Sequence, residues 1–225
     1  MFSELSVTQQ IAIWALPVLL AITLHEAAHA WVAMKLGDST AYLQGRVTLN
    51  PFKHIDPIGT VVVPGILLLL STGFIFGWAK PVPVQWQHLR SPRRDIALVS
   101  AAGPGANLLM AIGWAIVGKI AFLMSQYTEL QSITGESLGF LFFVSQAGLI
   151  INLLLMILNL LPILPLDGGR VLCSLLPPRL AFYYAKTEPF GFFILLGLLL
   201  LGVLNLILYP LLTLFYRIFR AIFGL

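Results

Sequence analysis

Apolar residues occur in long uninterrupted blocks along this chain, and the polar residues are concentrated between the blocks. A helix needs roughly 20 mostly apolar residues to cross the hydrocarbon core of a bilayer. Blocks near or above this length cover residues 11–34, 96–124, 140–161 and 190–208. The pattern therefore predicts an all-α polytopic membrane protein with about four full transmembrane helices.

Two further stretches depart from simple spanning helices. Residues 58–76 are apolar but interrupted by Pro64, Gly65 and a Ser-Thr-Gly cluster, and basic residues lie on both sides of them. A single crossing would put those basic residues in opposite compartments, so we predict a re-entrant segment covered by protein or facing a water-filled cavity. Alternating residues over 41–49 predict a short membrane-associated β element.

Composition supports the membrane interpretation: 59% of the residues are hydrophobic, only 10% are charged, and the mean hydropathy is +0.93. The single cysteine, Cys173, excludes an intrachain disulfide and a cysteine-rich zinc site. The net charge of +4 is carried mainly by loops between apolar blocks. We interpret these charges as topology signals, and we expect no nucleic-acid partner.

The distribution of basic residues predicts the orientation. Lys and Arg are frequent in residues 35–94 and again in 170–186, whereas the loop 125–137 contains two glutamates and neither Lys nor Arg. The positive-inside rule puts both basic regions in the cytoplasm and the N-terminus and the 125–137 loop outside. The tail, 209–225, departs from this pattern because its two arginines would lie outside, unless Pro210 redirects the last helix along the membrane surface.

The first apolar block contains His25-Glu26-Ala27-Ala28-His29. On a helix, positions 25 and 29 lie one turn apart on the same face, so both imidazoles can bind one metal ion. Glu26 lies beside them, where its carboxylate can take a proton from an attacking water. A chance match and a polar cluster that only packs helices are the alternatives. Ionisable groups at membrane depth are costly and usually mark a site, so we predict a zinc site with its general base.

Hydrolytic zinc sites usually have three protein ligands, so one more is expected. Asp167 is the strongest candidate, because it follows the block 140–161 on the same predicted cytoplasmic side as the two histidines. The alternative is that Asp167 forms a turn with the next glycine and caps the helix. His54 and His88 lie in predicted cytoplasmic loops, where a solvated or turn-capping role is at least as reasonable as metal binding.

Two separated motifs give the chain a specific resemblance. His25–His29 is followed by Asn159-Leu160-Leu161-Pro162 and then by Leu166-Asp167-Gly168-Gly169, and together these are similar to the motifs of the site-2 protease family of intramembrane zinc metalloproteases. Three intervening stretches resemble its minimal prokaryotic branch, which lacks PDZ and CBS domains: residues 50–60, 77–84 and 102–107. The resemblance covers about residues 20–175.

The resemblance implies that His25, His29 and Asp167 bind one zinc ion per chain, that Glu26 activates the water, and that Asn159 contacts the substrate backbone. The implied activity is that of a metalloendopeptidase hydrolysing peptide bonds within or near transmembrane segments. Its expected partners are a transmembrane-protein substrate and the lipid bilayer. A divalent-metal transporter and a non-catalytic pseudoprotease that binds membrane helices remain alternatives, although neither needs a general base at position 26.

Three further predictions concern Asn159, Asn107 and residues 41–49. For Asn159, an interhelical hydrogen bond is the alternative to a substrate contact. We interpret Asn107, four residues after Gly103, mainly as a helix-packing residue, with a role in the site as the less favoured reading. An edge strand within residues 41–49 could bind an unwound substrate by strand addition.

The chain is expected to form a single integral membrane protease domain, residues 1–225, because no polar stretch is long enough for a separate folded module. Its core covers about residues 10–175, and residues 190–225 form a C-terminal membrane helix. The expected location is a prokaryotic cell membrane, with the active site nearer the cytoplasmic side. The sequence leaves open the substrate, a regulatory or a clearance role, and the oligomeric state.

Overall fold

The computed structural model describes residues 5–62, 66, 77, 79–129 and 132–224. Regular structure in these residues is helical, and they contain no β-strand, which confirms the all-α class. The helices are α1 Val7–Leu36, α2 Thr40–Leu43, α3 Pro92–Ser125, α4 Ile133–Asn159, α5 Asp167–Leu175, α6 Pro178–Ala185, α7 Gly191–Leu200 and α8 Val203–Phe223. Short 3₁₀ turns lie at Pro51–Lys53, Trp86–His88 and Glu188–Phe190, and a π-helical turn lies at Pro57–Val62.

Among the described helices, α1, α3, α4 and α8 are long and apolar enough to cross a membrane. The first three confirm the predicted spans, but the fourth lies at Val203–Phe223 and not at residues 190–208. The reason is Gly202, whose φ of +72° places it in the left-handed region between α7 and α8. Hydropathy does not reveal such a break, because glycine adopts this conformation without changing the apolar pattern.

The tail forms one continuous helix. Pro210 lies inside α8 and does not end the helix. Arg217 and Arg220 belong to the last turns of this helix, whose C-terminal end lies beside Lys119 in the C-terminal part of α3.

The prediction of a β element over residues 41–49 is wrong. Asp38 accepts a hydrogen bond from the Thr40 backbone N–H at 3.0 Å and starts a helical turn, α2, which packs the fully buried Ala41 against α1. The chain then turns at Gly45, where φ is +65°. Residues 41–49 therefore provide no edge strand to which a substrate could add. Of the predicted re-entrant segment, residues 58–62 and 66 are described, and the rest lies outside the described residues.

Helix α3 is central, since it packs against α1, α4, α5 and α8. Small residues lie at its crossings: Ala111 and Ala115 are fully buried, as is Ala21 on α1. Side chains of this size let helix backbones approach closely in lipid, where apolar surface alone gives little drive for association. The close approach brings side chains of three helices together at one end of the bundle.

The bundle has two distinct ends. At the histidine end, His29 of α1 meets Val99 of α3, and α5 begins beside them. At the distal end, Lys119 of α3 donates a hydrogen bond to the Gly224 carbonyl at 3.0 Å, and the Tyr216 hydroxyl of α8 donates to Gln146 of α4 at 2.8 Å. The two ends lie at opposite termini of α3.

Candidate metal centre

Three potential ligands from two helices converge at the histidine end. One turn of α1 brings the Nε2 atoms of His25 and His29 to 3.1 Å from each other. Asp167 is the first residue of α5, and its Oδ2 lies 3.2 Å from His25 Nε2 and 3.4 Å from His29 Nε2. Among the described residues, these three form a group that can hold a metal ion. The structure thus brings together the three residues that the sequence predicted as ligands.

Asp167 reaches this position because the chain packs tightly after α4. A Cβ on Gly168 would lie 2.2 Å from the Leu160 carbonyl oxygen, and one on Gly169 would lie 2.6 Å from the Ile163 carbonyl carbon. Only residues without a side chain allow the first turn of α5 to lie against the preceding loop. Asp167 therefore begins α5, and the alternative that it caps the end of α4 is wrong.

The hydrogen bonds of the two Nδ1 atoms determine which ring nitrogen of each histidine faces the centre. His29 Nδ1 lies 2.7 Å from the Val99 carbonyl oxygen, which can only accept, so Nδ1 carries the proton. His25 Nδ1 lies 2.6 Å from Asn107 Oδ1 and likewise donates. Both rings therefore direct Nε2 lone pairs toward Asp167 Oδ2, which is buried and receives no hydrogen bond from the described residues.

A cation bound between three electron-pair donors this close together would offset their mutual repulsion. Ligands bound at about 2.0–2.1 Å to a tetrahedral zinc ion lie roughly 3.3–3.4 Å apart, close to the distances observed here. Two histidines and a carboxylate are also an established ligand set of catalytic zinc sites. The donor set thus fits zinc in both chemistry and spacing.

Gly103 and Asn107 of α3 both belong to this centre. A Cβ on Gly103 would lie 2.4 Å from His29 Nε2 and 2.6 Å from His25 Nε2, so a side chain there would enter the ligand set. Asn107, four residues later on the same helix face, contacts His25 directly. The helix-packing interpretation that we favoured for this spacing is therefore incomplete. In the sequence, the signal for a role of Asn107 in the site is that positions 103 and 107 share a helix face that also contains small residues.

Glu26 lies at the edge of a cavity of about 350 Å³. Its Oε2 accepts a hydrogen bond from the Val82 backbone N–H at 2.8 Å. Val82 belongs to residues 79–85, which have no helical or strand assignment and pass beside the carboxylate. The cavity is lined by His25, Glu26, His29, Pro81, Val82, Val84, Trp86, Val99, Ser100, Asn159, Pro165, Leu166, Asp167 and Arg170. The general-base candidate thus faces an open space beside the three ligands.

Asn159 lies on the wall of the same cavity. Its Nδ2 donates to the Leu155 carbonyl of its own helix at 3.0 Å, and the described residues show no interhelical hydrogen bond from it. The location is the one that a contact with substrate requires, and that role stays a prediction.

The other two histidines are not part of the centre. His54 is buried, and its Nε2 lies 3.0 Å from the Thr48 carbonyl oxygen. His88 is half-exposed and lies 3.5 Å from the carboxylate of Asp38. Both therefore have local partners in the segments that connect α1 to α3.

Asp38 joins those connecting segments to the end of α1. Burial alone would raise the pKa of its carboxyl, but hydrogen bonds outweigh this and hold the pKa below its usual value. The donors are the Thr40 hydroxyl and N–H and the Gln85 N–H, the last at 2.7 Å, with His88 nearby. Because Gln85 ends the segment that contains Val82, Asp38 also anchors one wall of the cavity.

Comparison with known proteins adds independent evidence. The chain is 38% identical over 210 residues to "Putative zinc metalloprotease YwhC" of Bacillus subtilis, which covers 92% of this chain and 90% of that protein. It is 30% identical over 187 residues to "Putative zinc metalloprotease Rip2" of Mycolicibacterium smegmatis and of Mycobacterium tuberculosis, which covers 83% of this chain and 66% of each relative. No family model and no solved structure matches the chain.

A metal-binding constellation inside a bundle of membrane-length helices, in a chain with such relatives, defines a membrane metalloprotease. The identity to YwhC extends over almost the whole of both proteins and includes the region of both predicted motifs. The chain belongs to the site-2 protease family.

Proposed function

We propose that this chain is a zinc-dependent intramembrane endopeptidase that hydrolyses peptide bonds within or near transmembrane segments of membrane proteins. The observation that carries the proposal is the convergence of two Nε2 atoms and one carboxylate oxygen within 3.4 Å, beside Glu26. His25 and His29 belong to a 30-residue helix that can cross a membrane, so the chemistry would take place at membrane depth.

In this proposal His25, His29 and Asp167 hold the zinc ion. Bound there, zinc would supply a Lewis acid that polarises the scissile carbonyl and makes water acidic enough to lose a proton near neutral pH. The three residues contribute a fixed ligand geometry, since the Val99 carbonyl and the Asn107 side chain orient the two rings.

Glu26 acts as the general base and then as the general acid. Its carboxylate takes one proton from the attacking water, the water oxygen forms a bond to the scissile carbonyl carbon, and the same proton passes to the amine nitrogen as the C–N bond breaks. The Val82 N–H holds Oε2 at 2.8 Å, which fixes the carboxylate orientation and leaves its other oxygen for proton transfer.

Substrate would enter the cavity in extended form, because the hydrogen bonds of a helix shield its peptide bonds. An unwound segment at membrane depth exposes N–H and C=O groups that need partners. Asn159, Pro81, Val82 and Val84 line the cavity, and the Asn159 amide and the peptide carbonyls beside it would offer such partners.

We infer the sidedness of the site from the charge distribution. Lys35, Arg90, Arg93 and Arg94 lie next to the ends of α1 and α3 that form the histidine end. The positive-inside rule supports an orientation in which this end faces the cytoplasm of a prokaryotic cell, from which water would reach the site.

The test is cleavage of a transmembrane peptide by the purified full chain in detergent, together with its zinc content. We expect about one zinc per chain, and we expect Glu26→Gln to retain the metal while lowering the cleavage rate at least about 100-fold. The matched control is Glu136→Gln in the first turn of α4, at the distal end, which should behave like the wild type. Equal cleavage by Glu26→Gln, or a wild-type protein without zinc, would contradict the proposal.

A further inference from the structure

The two histidine ligands are oriented by different kinds of partner. His29 donates to the backbone carbonyl of Val99, which can only accept a hydrogen bond. His25 donates to the side-chain amide of Asn107, which presents an oxygen on one side and an NH₂ group on the other. A rotated amide would direct its NH₂ at His25 Nδ1, so another group must fix the orientation of Asn107.

A second buried asparagine provides that group. Asn107 Nδ2 donates to Asn152 Oδ1 at 2.9 Å and, at 3.4 Å, to the Ala21 carbonyl. Asn152 Nδ2 in turn donates to the Gly148 carbonyl at 2.8 Å. Both asparagine side chains are fully buried, so no solvent competes for these groups.

The Gly148 carbonyl, at the far end of this hydrogen-bond network, determines the orientation of both asparagine amides. The Gly148 carbonyl accepts only, so Asn152 must direct its NH₂ there and its oxygen toward Asn107. Asn107 must then direct its NH₂ toward Asn152 and its oxygen toward His25. His25 consequently carries its proton on Nδ1 and keeps the Nε2 lone pair for the metal.

We propose that Asn107 and Asn152 are positioning residues that hold His25 in the tautomer and ring orientation needed to bind zinc. The proposal rests on the proposed function in one respect, namely that the centre binds zinc. It goes further by assigning a role in the metal site to Asn152, which contacts none of the three ligands. Hydrogen-bonding partners of metal-bound histidines commonly contribute 10–100-fold to metal affinity.

Two consequences separate this role from ordinary helix packing. Asn152 acts on the metal only through Asn107, so the effects of removing both should not add. Without Asn152, the Asn107 amide retains only the 3.4 Å contact to Ala21 to define its orientation, so His25 loses part of its fixed geometry.

The chain offers a matched control on the same helix. Gln146 of α4 is 2% exposed, and its amide oxygen accepts a hydrogen bond from the Tyr216 hydroxyl of α8. Replacing Gln146 with Leu removes a buried amide from α4, as Asn152→Leu does, but its partner belongs to the distal end.

The experiment titrates the metal-free full chain in detergent with Zn²⁺ against a competing chelator and records the visible spectrum of the Co²⁺-loaded protein. We expect Asn107→Leu to weaken zinc binding about 10–100-fold and Asn152→Leu to weaken it about 10-fold. The double variant should match Asn107→Leu within about twofold, while Gln146→Leu should keep wild-type affinity. The Co²⁺ spectrum should change in both asparagine variants and stay unchanged in the control.

Wild-type affinity in both asparagine variants, or effects that multiply in the double variant, would overturn the proposal. If Asn107→Leu does not fold, the comparison of Asn152→Leu with Gln146→Leu decides the question alone. Failure of the proposed function has a different signature, since the wild type itself would then bind no zinc.

Discussion

The histidine end and the distal end of the bundle are built from different interactions. At the histidine end, α1, α3 and α4 meet through buried polar side chains, including His25, Asn107 and Asn152. Toward the distal end, α8 packs on α3 and α4 largely through apolar residues, since Phe219 of α8 belongs to the same buried cluster as Ala115 of α3 and Leu149 of α4. Lipid tails are as apolar as leucine, so apolar contacts do little to fix helix positions in a membrane, whereas buried hydrogen bonds specify them.

The comparison indicates that side-chain positions must be precise at the histidine end. Changes at the histidine end should alter metal binding and catalysis, and changes at the distal end should alter stability alone.

The largest effect is expected from Gly103→Ala. A Cβ at this position would lie 2.4–2.6 Å from both ligand Nε2 atoms, so the rings must move apart. We expect zinc affinity to fall at least about 100-fold, the upper end of what loss of supporting contacts does at metal sites. Zinc titration of the purified protein measures the change, and cleavage activity should fall with it.

Gly105→Ala is the matched control for this prediction. It lies on the same helix two residues away, and an added Cβ there meets no heavy atom within 4 Å. Zinc binding should be unchanged, and alanine's helix propensity favours stability by up to about 1 kcal/mol. Similar zinc affinities for the two variants would show that α3 does not constrain the ligand set.

The next largest effect is expected from Asp38→Asn, which loses the negative charge that accepts the Gln85 N–H and the Thr40 hydroxyl. Hydrogen bonds to a charged group contribute about 1.5–3 kcal/mol each, and the variant keeps part of them through its amide oxygen. We expect the thermal midpoint to fall and cleavage to slow by a smaller factor than in Gly103→Ala, because Gln85 anchors the cavity wall. Zinc affinity should remain near the wild-type value, and a 100-fold loss would contradict this assignment.

The same residue predicts a pH dependence. Because the folded structure lowers the pKa of Asp38, its ionised form stabilises the fold at pH values above the ordinary carboxyl pKa of about 4. That stabilisation should disappear as the pH falls through the lowered value. Thermal midpoints of the wild type and Asp38→Asn, measured from pH 6 downward, should therefore converge below about pH 4. A constant difference over this range would exclude the linkage.

The smallest effect is expected from Tyr216→Phe at the distal end. The change removes one hydrogen bond, from the Tyr216 hydroxyl to Gln146, which costs about 0.5–1.5 kcal/mol of stability. Zinc affinity and cleavage per folded molecule should not change. A loss of zinc binding would break the proposed division between the two ends.

The sequence was most informative where a short-range pattern determines the geometry. His25 and His29 had to share a helix face, and the apolar block around them had to be helical, so that part of the site was predictable. Asp167 could be linked to them because predicted topology gave both the same side of the membrane. No local pattern could reveal that Asn152 meets Asn107, since their contact depends on how α3 and α4 cross.

Two local errors have equally specific causes. Residues 190–208 are apolar except for Asn205, and the backbone conformation of Gly202 divides them between α7 and α8. The alternation in residues 41–49 resembled a strand, but the Asp38 side chain starts a helical turn there. In both places a single residue overrides the average pattern of its neighbours.

The distribution of the ligands along the chain affects how the protein is made. His25, Glu26 and His29 belong to the first membrane helix, whereas Asp167 begins a helix in the last third of the chain. Synthesis proceeds from the N-terminus, so the histidines and the base enter the membrane well before the carboxylate leaves the ribosome. The candidate ligand set is therefore incomplete until Asp167 has been synthesised, so the centre can form only after most of the chain has left the ribosome.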